Sequence, residues 1–156
     1  MKKSTILEII SMLFAFLFLY TGLSKLFDSA PFEIALLKSP LLRGATPVLK
    51  ILVPVVELLV AIALFLPRGR KAGLVGSSIL MFLFTIYVGY MIHTMPHRLP
   101  CSCGGIISLM NWHQHLYFNC AFTLLAIVGI WLQNKVNTQG QDSQSNNRGY
   151  SSVVYK

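Results

Sequence analysis

Apolar residues in this chain gather into long, nearly unbroken runs, and that pattern sets the fold class before any single residue is considered. The runs extend from Ile6 to Phe27, Val48 to Leu66, Ala72 to Ile92 and Trp112 to Leu132. A helix needs about 20 predominantly apolar residues to cross a bilayer and tolerates about 17, so all four runs are long enough. They predict an all-α integral membrane protein: a four-transmembrane-helix bundle over 1–132, with a cysteine-bearing loop between helices 3 and 4. A mean hydropathy of +0.64 and a hydrophobic share of 54% exclude an ordinary soluble domain. Lys2 and Lys3 ahead of the first run resemble the start of a secretory signal, but the run is too long for one and three further spans follow, so it reads as a retained helix. From 133 to 156 the composition turns to Gln, Asn, Ser, Gly and Asp, which predicts a disordered cytoplasmic tail.

Polar residues that interrupt the runs carry the functional information. Glu57 lies in the middle of the second run, where an unpaired carboxylate would be very costly, so it should face the bundle interior and either find a partner or stay neutral. Its candidate partners are Lys25, at the outer end of the first helix, or a polar group on the fourth. Lys25 has a competing role as an interfacial anchor that snorkels outward. Thr21 lies one turn before it on the same face, and Gly22 permits close helix packing. Pro54 frees a backbone carbonyl one turn before Glu57 and kinks the helix. Gly73, Gly76, Ser77 and Ser78 form a small-residue packing set at the start of the third run, which ends in the rim Tyr87, Tyr90 and His93. On the fourth helix His115, Asn119 and Thr123 recur at four-residue steps, a polar stripe that must face protein and is placed to share a cavity with Glu57. Trp112 marks the headgroup level, and Cys120 reads as a buried packing residue. Between the first two spans, Phe32 to Leu37 reads as a short surface helix.

The chemistry-bearing motif is Cys101-Ser102-Cys103-Gly104-Gly105, in the loop before the fourth span. Two thiols in one turn can close a disulfide, exchange with a partner's disulfide, or bind a soft metal. A disulfide across a single residue closes a small, strained ring, which favours a labile, exchanging bond over a permanent staple. Gly104 and Gly105 leave the sulfurs uncrowded, so a partner's backbone or a flat quinone ring can approach. The competing readings are a glycine-rich turn with incidental cysteines and a metal site. Cys101, Cys103, His113 and His115 supply a tetrahedral donor set, although the cysteine spacing fits zinc patterns poorly.

The formal charge of +8 forms no nucleic-acid stripe, because the basic residues lie at the ends of the apolar runs. Lys2, Lys3, Arg68, Arg70, Lys71 and Lys135 share one side; Lys38, Arg43 and Arg98 lie on the other, joined by Lys25 and Lys50 if these snorkel. The positive-inside rule then puts both termini in the cytoplasm and the cysteine loop outside, where disulfides persist.

Tyr20-Thr21-Gly22-Leu23-Ser24-Lys25-Leu26, Pro54 with Glu57, the Cys101 to Gly105 loop, Trp112 and Phe118-Asn119 together resemble the DoxX-like membrane proteins, and within them the MauE branch named for methylamine utilisation. The resemblance implies a four-helix protein of the bacterial inner membrane, linked to disulfide formation or maturation of periplasmic proteins, with quinone-linked chemistry among its relatives. The leading expectation is a membrane thiol–disulfide redox protein that exchanges with an extracytoplasmic partner through Cys101 and Cys103 and passes electrons to a quinone. Glu57, Lys25, His115, Asn119 and Trp112 would support it. The alternatives are a non-catalytic assembly or maturation subunit with a structural cysteine pair and, third, a metal-binding membrane protein.

Overall fold

The computed structural model describes residues 3–94 and 112–154, with side chains over 4–94 and 113–136. Among the described residues every element is helical: α1 (Lys3–Phe27), α2 (Ser29–Lys38), a 3₁₀ turn (Arg43–Ala45), α3 (Thr46–Phe65), α4 (Arg70–Thr94) and α5 (Trp112–Val154). Four of these hold spans long and apolar enough to cross a membrane, Ser4–Phe27, Arg43–Phe65, Arg70–Thr94 and His113–Val136, each overlapping the run predicted for it. With no water in a hydrocarbon core, a segment must satisfy its own backbone, and the α-helix does so within one stretch of chain.

The long helices run up and down around a ring in which α1 packs on α3 and α5, and α4 packs on α3 and α5. In α1 the buried positions Leu7, Ile10, Ser11, Phe14, Ala15, Phe18, Thr21 and Lys25 follow the three-and-four spacing of one helical face. The opposite face, with Ile9, Met12, Leu13 and Phe16, is equally apolar and exposed, as a lipid-facing surface should be. Phe14 anchors the centre, stacked on Phe18 at 6.2 Å and edge-on to Phe122 at 5.4 Å.

Association of helices in lipid depends on close packing more than on apolar burial, and small residues set how near two backbones come. A Cβ on Gly22 would lie 3.3 Å from the Pro54 carbonyl oxygen, which fixes α1 tightly against α3. At Gly73 the added atom would stand 2.8 Å from Leu64 Cγ and 2.9 Å from the Leu64 backbone nitrogen. Gly73→Ala is therefore expected to destabilise the bundle by about 1–3 kcal/mol, in the range of overpacking. Gly44→Ala, with no atom within 4 Å of the new Cβ, is the control and should leave denaturant unfolding in mixed micelles unchanged.

α2 matches the short helix expected between the first two spans and buries Phe32 and Leu36 against the bundle. Lys50 on α3 reaches Glu33 on α2 at 2.9 Å, a half-exposed pair worth about 0.2–1 kcal/mol. The helical backbone of α5 continues to Val154, past the end of the apolar run, whereas the composition of 133–156 predicts disorder. A span that is already helical supplies the costly nucleus from which further turns propagate.

Candidate functional site

Glu57 is 1% exposed in the middle of α3, and Lys25 is 3% exposed in the last turn of α1. They meet because Gly22 and Pro54 bring the two helices together one turn away from each residue. Lys25 Nζ donates to both carboxylate oxygens, at 2.8 Å to Oε1 and 2.9 Å to Oε2, and lies 3.5 Å from the Thr21 carbonyl. The Phe32 and Phe84 rings flank the ammonium, with centroids at 5.5 and 5.8 Å. Lys25 therefore turns inward and is not the snorkelling anchor that its helix-end position allows.

His115 and Asn119, in the first turns of α5, are 5% and 3% exposed and face the same interior. Below them Thr123 donates to the Asn119 carbonyl at 2.7 Å and approaches the Thr85 hydroxyl at 3.3 Å, so the predicted stripe does face protein and pins α5 to α4. Lys25, Glu57, His115 and Asn119 line one cavity of about 440 Å³, walled otherwise by apolar and aromatic side chains that include Phe32, Leu36, Phe84, Tyr87 and Phe118. That volume lies in the range of small-molecule sites, and a few convergent polar groups in an apolar wall are what such sites use to orient a ligand.

The sequence matches the family described as Methylamine utilisation protein MauE over residues 3–132. This chain belongs to the MauE family. The match takes in all four predicted spans and the segment between α4 and α5. No curated protein and no solved structure matches the chain.

Of the residues that the sequence singles out in this MauE-family protein, Glu57, Lys25, His115 and Asn119 come together in the cavity, and Trp112 is the first residue of α5. Cys101, Cys103, Gly104 and Gly105 lie outside the described residues. The cavity is nevertheless walled by the last turns of α4, at Tyr87 and Tyr90, and the first turns of α5, at His115 and Phe118, the two helices that the cysteine segment joins. His113 is exposed and His115 buried, so these two imidazoles of the metal alternative meet different surroundings. Among the described residues no three His, Cys, Asp or Glu side chains gather as a metal site.

Cys120 is exposed on α5, not buried as its sulfur chemistry suggests. A thiol is a weakly polar group that lipid accepts as readily as a protein interior does, so hydropathy does not assign it a side. Phe32, Leu36, Phe84 and Met81 are cavity residues that sequence reasoning missed. The apolar run of α2 was visible, but only packing shows that its buried face covers Lys25.

Proposed function

We propose that this MauE-family protein is a membrane thiol–disulfide redox protein acting within methylamine utilisation, with Cys101 and Cys103 exchanging with an extracytoplasmic partner and a quinone as electron acceptor. The observation that carries the reading is the cavity itself. Beneath the helix ends joined by the Cys101-Ser102-Cys103 segment, an apolar chamber holds a buried acid–base pair, an imidazole and an amide.

A partner dithiol attacks the Cys101–Cys103 disulfide, forms a mixed disulfide, and leaves oxidised as the pair becomes a dithiol. Reoxidation of the pair releases two electrons and two protons, which a quinone takes up to become quinol. His115, in the chamber wall on α5, and Glu57, held by Lys25, offer the proton-exchanging groups along that path.

The orientation supports the same reading. With Lys25 sequestered by Glu57 inside the bundle, the outer side keeps Lys38, Arg43, Lys50 and Arg98, against Lys2, Lys3, Arg68, Arg70, Lys71 and Lys135 on the other. The positive-inside rule then places the cysteine segment on the oxidising face of the inner membrane.

Thiol trapping in membranes with and without added quinone tests the proposal. The pair is expected to shift from dithiol to disulfide when quinone is supplied. A pair locked in one state under both conditions would instead be a structural clip, and the redox role would fail.

A further inference from the structure

The cavity wall carries a buried amide donor that has no acceptor among the described residues. Asn119 is 3% exposed, lines the chamber, and its Nδ2 makes no hydrogen bond. Its backbone carbonyl accepts from Thr123 Oγ1, so the residue is held in place while its amide nitrogen remains available. Lys25 is in the opposite condition. Its three N–H donors have three acceptors, both Glu57 oxygens and the Thr21 carbonyl, and it has no donor left for a ligand. Buried polar groups in native structures are nearly always paired, so an unpaired amide facing a chamber calls for an acceptor that arrives with a ligand.

The walls restrict what that ligand is. An anionic acceptor would bring a charge into an apolar chamber where Lys25, the one lysine or arginine among the described wall residues, is already neutralised by Glu57, at a desolvation cost that nothing in the described wall offsets. A neutral carbonyl oxygen has no such cost. Phe84, Tyr87 and Phe118 supply aromatic surface for a flat ring beside Asn119.

The chamber also reaches the lipid-facing surface. Leu41, Leu83, Ile86 and Tyr90 belong to its wall and are 63%, 56%, 55% and 39% exposed. Close packing of α3 on α4 is made towards the far end, where Gly73 and Gly76 meet Leu64 and Val60. Nearer the cysteine segment the cavity takes in Leu49 and Val53 of α3 as well as Leu83 and Ile86 of α4.

We infer that Asn119 is the polar anchor of a lateral site for a lipid-soluble ring carbonyl compound: its Nδ2 donates to the ring carbonyl, and the tail leaves between α3 and α4 past Leu83 and Ile86. This rests on the quinone limb of the function proposed above and names how the acceptor is held.

The test titrates decylubiquinone into full-length protein in lipid nanodiscs and measures bound quinone by extraction after gel filtration, for wild type, Asn119→Leu and the Cys101→Ser/Cys103→Ser double variant. Wild type and the double variant should bind equally, because the site does not use the thiols. Asn119→Leu should bind about tenfold more weakly, the loss expected for one buried hydrogen bond. Infrared spectra of carbonyl-labelled quinone bound to wild type supply a readout that does not depend on a variant folding, and its carbonyl stretch should move to lower frequency than in lipid alone. Equal affinity in Asn119→Leu and wild type, or an unshifted carbonyl stretch, overturns the anchor and leaves the redox reading standing. Binding that depends on Asn119, alongside cysteines that never exchange, upholds the site and sinks the redox reading. Absence of binding to wild type removes the site and the quinone limb together.

Discussion

Removing the Glu57 carboxylate while the Lys25 ammonium stays in place is expected to cost the bundle about 3–5 kcal/mol, the penalty of leaving one buried charge without its partner. Glu57→Gln and Lys25→Met should each show a loss of this size when unfolding is followed by helicity in mixed micelles of rising denaturing detergent. The double variant Lys25→Met/Glu57→Met should recover most of it, because replacing a buried ion pair by apolar residues of similar volume is often close to neutral. The reason lies in the geometry: both side chains are almost wholly buried, and both carboxylate oxygens take their hydrogen bond from one ammonium. If the two single variants unfold with wild type, the pair contributes nothing to the fold. If the double variant is the least stable of the three, the two charges have separate partners and the coupling is wrong.

The same variants separate structure from chemistry. A double variant as stable as wild type but unable to reoxidise its cysteines would place the acid–base pair in proton handling; one that reoxidises normally would leave the pair a structural link between α1 and α3.

Replacing Cys101 or Cys103 with Ser is expected to abolish oxidation of the extracytoplasmic partner, since a thiol–disulfide relay needs both sulfurs to return to its starting state. Incubated with the partner in its disulfide form, so that exchange runs in reverse, one of the two single variants should accumulate a mixed disulfide as its thiolate opens the partner's disulfide and releases one partner thiol, visible as a larger band on non-reducing electrophoresis and lost on adding reductant. That variant retains the attacking thiol and lacks the one that resolves the adduct. Partner disulfides that form at the wild-type rate in both variants would end the redox role of the pair. Helicity and unfolding of both proteins should match wild type, a result that a purely structural clip would not produce.

The four spans were legible in the chain because a bilayer offers no hydrogen-bonding alternative to the helix, so length and apolarity suffice. The burial of Glu57 was legible for the same reason, since a mid-span carboxylate has no stable place in lipid. The four-residue spacing of His115, Asn119 and Thr123 likewise assigned one side of α5 to protein, and that side is where the cavity lies. Tertiary structure decided the rest. A lysine at a helix end can snorkel outward or turn inward with equal reach, and Lys25 turns inward because packing around Gly22 sets Glu57 within 2.8 Å. Hydropathy could not tell that Cys120 faces outward, because lipid and protein interior are apolar alike. Nor could a linear pattern show α2 folding over Lys25, or α3 and α4 sharing the wall of one cavity. Those features arise from contacts between segments distant in the chain, where close approach of small residues at one end of a helix pair leaves space at the other.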